Sequence, residues 1–167
     1  MAEMTLQVNI SAGADNVQNN GAQFVFDAVA PVDRARSQPT ADFSLFNQGS
    51  TDTSRIRFGG QQEQMRFTFA LYNDGTDRSS GTGAGSTFGS TVITVAQQIQ
   101  YLFDVIFDKE FDSTWTLTDN TGRFLASSVT VFVEDLRVNN PPGQVSMVTG
   151  ELLVTFGRVL SLTSLFT

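Results

Sequence analysis

Met65-Arg66-Phe67-Thr68-Phe69-Ala70-Leu71-Tyr72 is the stretch whose reading decides the fold. Met65, Phe67, Phe69 and Leu71 fall on one face of an extended chain, and Arg66, Thr68, Ala70 and Tyr72 fall on the other. That is the period of a strand with one buried face, not of a helix. The same alternation recurs outward in both directions, at Leu6, Val8 and Ile10, at Phe24 and Phe26, and at Ile56 and Phe58. It continues at Trp115 and Leu117, at Val129, Val131 and Val133, and at Val148, Leu152, Val154 and Phe156. Roughly seven or eight strands are predicted, the range of an antiparallel β-sandwich or barrel.

One segment departs from this period. Val95, Ile99, Leu102, Phe103 and Ile106 lie at helical spacing within Val95 to Phe107, which predicts a single helix whose core face is those five residues. Thr94 with Gln97 three residues on has the spacing of a capping box and marks its start. Asp119-Asn120-Thr121-Gly122 has the composition of a tight hairpin turn. Residues 30–53, with Pro31 and Pro39, and 74–90, rich in Gly, Ser and Thr, read as two long loops, a length that in a compact domain accompanies function or disorder. The 167 residues are read as one mainly β domain with a flanking helix.

Composition removes most chemistry. The chain has no Cys and no His, so thiol nucleophiles, disulfides, histidine bases and Cys/His zinc sites are excluded. Its 10 basic residues, of which only Lys109 is lysine, stand against 17 acidic ones for a net charge of −7, a field that repels nucleic-acid phosphates. Gly81-Thr82-Gly83-Ala84-Gly85-Ser86 lacks the lysine that closes a phosphate-binding loop. Asp104, Asp108, Glu110 and Asp112 lack the glycine and ligand spacing of a calcium loop and read as a solvated helix face. A carboxylate pair could in principle hydrolyse glycosides, but saccharide sites favour exposed Trp and Tyr, and the aromatic stock here is 15 Phe against one Trp and two Tyr. No enzyme, cofactor or metal is therefore expected. Met1-Ala2-Glu3-Met4 opens without a basic or apolar leader, so a soluble, unprocessed product that meets no membrane is expected.

The second half has a recognisable order. The helix Val95 to Phe107 is followed by Trp115-Thr116-Leu117-Thr118-Asp119, a turn at Gly122, the strand Ser128 to Glu134, Asn139-Asn140-Pro141-Pro142-Gly143, and a closing strand ending Leu152-Leu153-Val154-Thr155-Phe156-Gly157. This order resembles the tail tube proteins of long-tailed (siphovirus-type) bacterial or archaeal viruses. The resemblance implies a small β-sandwich flanked by a helix, assembling with itself into six-membered rings that stack into a hollow tail. Genomic DNA would pass through without specific binding, other tail proteins would be partners, and the protein, made in the host cytoplasm, would reside in the virion. It also implies a long loop reaching the adjacent ring, for which 30–53 and 74–90 are rivals. Arg34, Arg36, Phe43, Phe46 and Phe88 are the candidate inter-subunit residues within them. The apolar C-terminal residues Leu160, Leu162, Leu165 and Phe166 read as a last core strand or a segment docked on a neighbour. The competing readings are another virion β-sandwich (capsid decoration, tail terminator or baseplate component) and a carboxylate- or calcium-dependent carbohydrate-active module.

Overall fold

A computed structural model of the chain describes residues 3–10, 19–27, 29–37, 40–44, 53–57, 62–79, 91–107, 114–139 and 146–157. The strands are β1 (Met4–Asn9), β2 (Gln23–Phe26), β3 (Val29–Ser37), β4 (Thr40–Ser44), β5 (Thr53–Arg57), β6 (Gln62–Tyr72), β7 (Thr114–Asp119), β8 (Val129–Asn139) and β9 (Met147–Phe156). Helix α1 (Val95–Tyr101) runs into a π-helical turn, Leu102–Ile106. Seven strands form one antiparallel sheet in the order β2-β1-β7-β8-β9-β6-β3, and β4 with β5 forms a separate ribbon.

The sheet is not closed into a barrel, because β2 and β3 are its two edges. Those edge strands are nevertheless consecutive in the chain, with only positions 27 and 28 between them, so the sheet curls until its edges meet at one corner. Glu3 stitches that corner by accepting the Val29 amide at 2.6 Å on Oε2. Across the interior, the Phe26 ring lies 5.7 Å from Phe67 and 4.9 Å from Phe69, centroid to centroid. Two halves of one sheet thus face each other like the layers of a sandwich.

The period-2 positions supply the core. Leu6 opposes Leu117, Met65 opposes Val154 and Phe67 opposes Leu152, and all six are buried. Each such side chain contributes roughly 1.5–3 kcal/mol by leaving water. Gly150 is required by this packing, since a Cβ there would stand 2.3 Å from the Phe69 ring and 2.8 Å from the Arg137 carbonyl oxygen.

The helix closes the open side of the core, and its capping box forms. The Gln97 amide donates to Thr94 Oγ1 at 3.3 Å, and the Thr94 amide donates to Gln97 Oε1 at 3.0 Å. Its buried face differs from the expected one. Val95, Leu102 and Ile106 are buried and Ile99 is half-buried, but Phe103 is 42% exposed. Stepping about 100° per residue from Val95 places Phe103 about 80° to one side, and Gln98, Tyr101 and Val105 on the other. These last three are the buried ones. Gln98 is admitted to the interior because its Nε2 donates to the carbonyls of Tyr72 (3.0 Å) and Ile93 (2.7 Å), fastening α1 to the end of β6.

Two expected loops are also different. Residues 30–53 carry most of β3 and all of β4, and Pro31 falls in the irregular step between Val29 and Val32 on an edge strand, where a missing amide costs no regular ladder bond. β7 and β8 do pair, but through residues 120–128 instead of a tight turn. The Asp119 carboxylate organises that connection by accepting the amides of Thr121, Gly122, Phe124 and Leu125, while Gly122 takes φ +66°. Of the 74–90 stretch, 80–90 lies outside the described residues.

Candidate self-association surface

A sheet edge is a row of unpaired backbone donors and acceptors. The β2 edge is capped at its middle: the Val25 amide donates to the Arg78 carbonyl at 2.9 Å, and the Arg78 amide in turn donates to the Val92 carbonyl at 3.0 Å. Arg78 itself is buried, paired with Asp27 and, at 2.8 Å, with Asp74, and its guanidinium lies 4.9 Å over the Tyr72 ring. Burial pushes its pKa down, and the two carboxylates compensate the charge. Asp77 closes the same segment. Burial raises its pKa, but hydrogen bonds from the Ser79 hydroxyl and from the amides of Ser79 and Val92 outweigh this and lower it.

The β3 edge is uncovered among the described residues, and Asp33 to Ser37 along it are exposed. The last β3–β6 partners are Ser37 and Gln62, and further along the chain β4 and β5 pair with each other, Thr40 with Arg57 and Phe43 with Ser54. This ribbon forms no sheet with any other described strand.

Arg34 and Arg36 stand on β3 opposite Met65 and Glu63, on the core side of the sheet but past the end of the core. Both guanidiniums bond the Glu63 carboxylate, Arg36 Nη2 at 2.8 Å, and these bonds hold the Glu63 pKa below the usual carboxylate range. Arg34 also donates to the Phe124 carbonyl at 3.2 Å and lies 5.3 Å over the Phe156 ring. Arg123 lies 5.1 Å over the Phe124 ring, with its nearest carboxylate, Glu3, at 3.8 Å. Arginines laid on half-buried phenylalanines are the composition of a contact surface, since both residue types are enriched where proteins meet. Within the patch one carboxylate, Glu63, serves two exposed guanidiniums.

Of the residues expected to make inter-subunit contacts, Arg34 and Arg36 come together here and Phe43 takes its place in β4. Phe46, Phe88 and the C-terminal Leu160, Leu162, Leu165 and Phe166 lie outside the described residues. Glu63, Arg123, Phe124 and Phe156 were missed, because only the β3–β6 register and the course of 120–128 bring them to the arginines. A hollow of about 360 Å³ at the corner of the sheet has Glu3 and Asp27 on its rim, but Glu3 is committed to Val29 and Asp27 to Arg78. Among the described residues, no three acidic side chains converge on a point that could hold a metal, and no helix is long and apolar enough to cross a membrane.

Comparison with known proteins gives no family and no curated protein that matches the chain. Among solved structures, the chain is similar to one from the tail of an empty GTA particle computed with helical refinement in C6 symmetry. The two are 12% identical, with 93% of each chain covered and a TM-score of 0.41. A second similar chain comes from the virion of a native gene transfer agent (GTA) particle, at 11% identity, 93% coverage of each chain and a TM-score of 0.39.

Proposed function

We propose that the chain is a structural subunit of a phage-like tail, which assembles with copies of itself into stacked rings forming a tube, with no catalytic role. The observation that carries this reading is the pairing of an open β3 edge with the β4–β5 ribbon beyond it. Two-stranded ribbons are marginal in water on their own, so one that joins no other described strand is suited to lie on another subunit. The resemblance in element order to tail tube proteins supports the same reading. The net charge of −7 fits a conduit that DNA traverses without adhering.

Electron microscopy of the concentrated protein is expected to show hollow tubes of regular width. Replacing residues 38–61 by Asn-Gly, which joins Ser37 to Gln62 through a two-residue hairpin, should leave the seven-stranded sheet folded and abolish stacking. Tubes formed as readily by that variant would refute the ribbon's role. Closed rings or trimers that never stack, in the intact protein, would instead assign it to decoration, termination or the baseplate.

A further inference from the structure

The arginine–phenylalanine patch has a complement elsewhere on the same chain. The π turn carries the buried contacts on Leu102, Val105 and Ile106 and leaves Phe103 and Asp104 exposed side by side, with Ile99 half-buried one turn earlier. Ile99 and Phe103, four residues apart, make an apolar strip on the outward flank of the helix, beside an anion with no ion-pair partner among the described residues. π turns within helices are frequently found at functional sites. The patch around Arg34, Arg36 and Arg123 presents exposed guanidiniums, two of which share the single Glu63 carboxylate, and Arg34 and Arg123 lie over the half-buried rings of Phe156 and Phe124. Neither surface satisfies the other within one chain, since the arginines bond Glu63 and Glu3 and not Asp104.

We infer that the helix flank of one copy, Phe103 and Asp104, docks on the Arg36, Phe124 and Phe156 patch of a second copy. Asp104 faces the arginines, and the Phe103 ring lies against the phenylalanines. The two surfaces are different parts of one chain, so the contact is head-to-tail. Repeated, it closes into a ring or runs on as a filament. The inference rests on the self-assembly reading and names the surfaces that carry it.

The experiment is sedimentation velocity of the full chain across a concentration series, with thermal unfolding of each variant as a check on folding. Asp104→Arg and Arg36→Glu should each raise the concentration needed for association about tenfold or more, as expected from placing like charges across a contact. Mixing the two variants should restore association, because each then meets a complementary partner on both sides. Glu134→Arg, the same charge change at another exposed position, should leave association as in the unaltered chain. Phe103→Ser should weaken association without lowering the unfolding midpoint. An unaltered chain that stays monomeric throughout would overturn the self-assembly reading and this contact with it. Association of the unaltered chain with no loss in the single variants, or with no recovery on mixing, would overturn the contact alone.

Discussion

Replacing Asp119 by alanine removes the anchor of the β7–β8 connection, and its cost follows from five hydrogen bonds. Oδ1 accepts from the amides of Thr121 (2.8 Å) and Gly122 (3.1 Å) and from the Thr121 hydroxyl (2.7 Å). Those donors are exposed and regain water when the carboxylate is gone, so they count for little. Oδ2 accepts from the amides of Phe124 (2.6 Å) and Leu125 (3.1 Å), at part-buried sites, and each orphaned amide costs about 1–3 kcal/mol. Asp119→Ala is therefore expected to lose about 2–6 kcal/mol at neutral pH, summed over those two amides. Burial alone would raise the Asp119 pKa. The Thr121 hydroxyl and the amides of Phe124, Leu125 and Thr121 outweigh burial and hold it well below the usual carboxylate range. The folded state therefore binds fewer protons here than the unfolded state. The contribution is complete above the ordinary value of 3.8 and fades as pH falls below it. Urea unfolding of both proteins should show a constant gap from about pH 7 to about pH 5 that narrows below about pH 4. A neutral-pH gap under about 0.5 kcal/mol, or one that does not narrow in acid, would refute the role given to this carboxylate.

Gly150→Ala should cost about 1–3 kcal/mol in urea unfolding, because the new methyl meets the Phe69 ring and the Arg137 carbonyl oxygen. Leu102→Ala should cost about 2–5 kcal/mol while Phe103→Ala stays within about 0.5 kcal/mol, a contrast in calorimetry that reads the helix phase directly. Arg78→Met should cost about 3 kcal/mol by leaving Asp27 and Asp74 without their cation, and should speed hydrogen exchange at the Val25 amide.

The strands were legible wherever one face alone is buried, as in Met65–Tyr72, because alternation then records the core directly. β3 past Val29 was not legible: Asp33 to Ser37 are all exposed, and a stretch with no buried face leaves no alternation to read. The helix was found but turned by most of a quadrant. Ranking by apolarity promoted Phe103 and passed over Gln98 and Tyr101, and the hydrogen bonds that let Gln98 be buried run to the carbonyls of Tyr72 and Ile93. The Asp119 turn was recognised from its residues, but its length was not. A carboxylate that accepts amides up to six residues ahead replaces the ladder bonds a tight hairpin would have made. At the candidate surface, Arg34 and Arg36 could be singled out from sequence. Their partners depend on strand register and loop course, which a single sequence does not contain.

In the proposed assembly, the direction of growth would follow from how differently the two sheet edges are treated. β2 is blunted by the 77–79 segment, which Arg78 locks in place through Asp27 and Asp74, so it offers little to another strand. β3 is longer, exposed from Asp33 to Ser37, and carries the Arg34 and Arg36 guanidiniums. A chain with two open edges would add copies at either side and aggregate as an extended sheet. With one edge covered, growth by edge pairing stops after a single partner, and further copies must be added through a second, different surface. In the proposed contact, the exposed Phe103 and Asp104 on the helix flank would supply such a surface. Unlocking the covered edge tests this directly. Arg78→Met, besides its cost in stability, should convert regular assembly into irregular aggregation that binds amyloid dyes, whereas Arg36→Glu should yield soluble small species. Soluble, non-aggregating Arg78→Met protein whose Val25 amide exchanges freely would show that β2 is kept from pairing by something other than this lock.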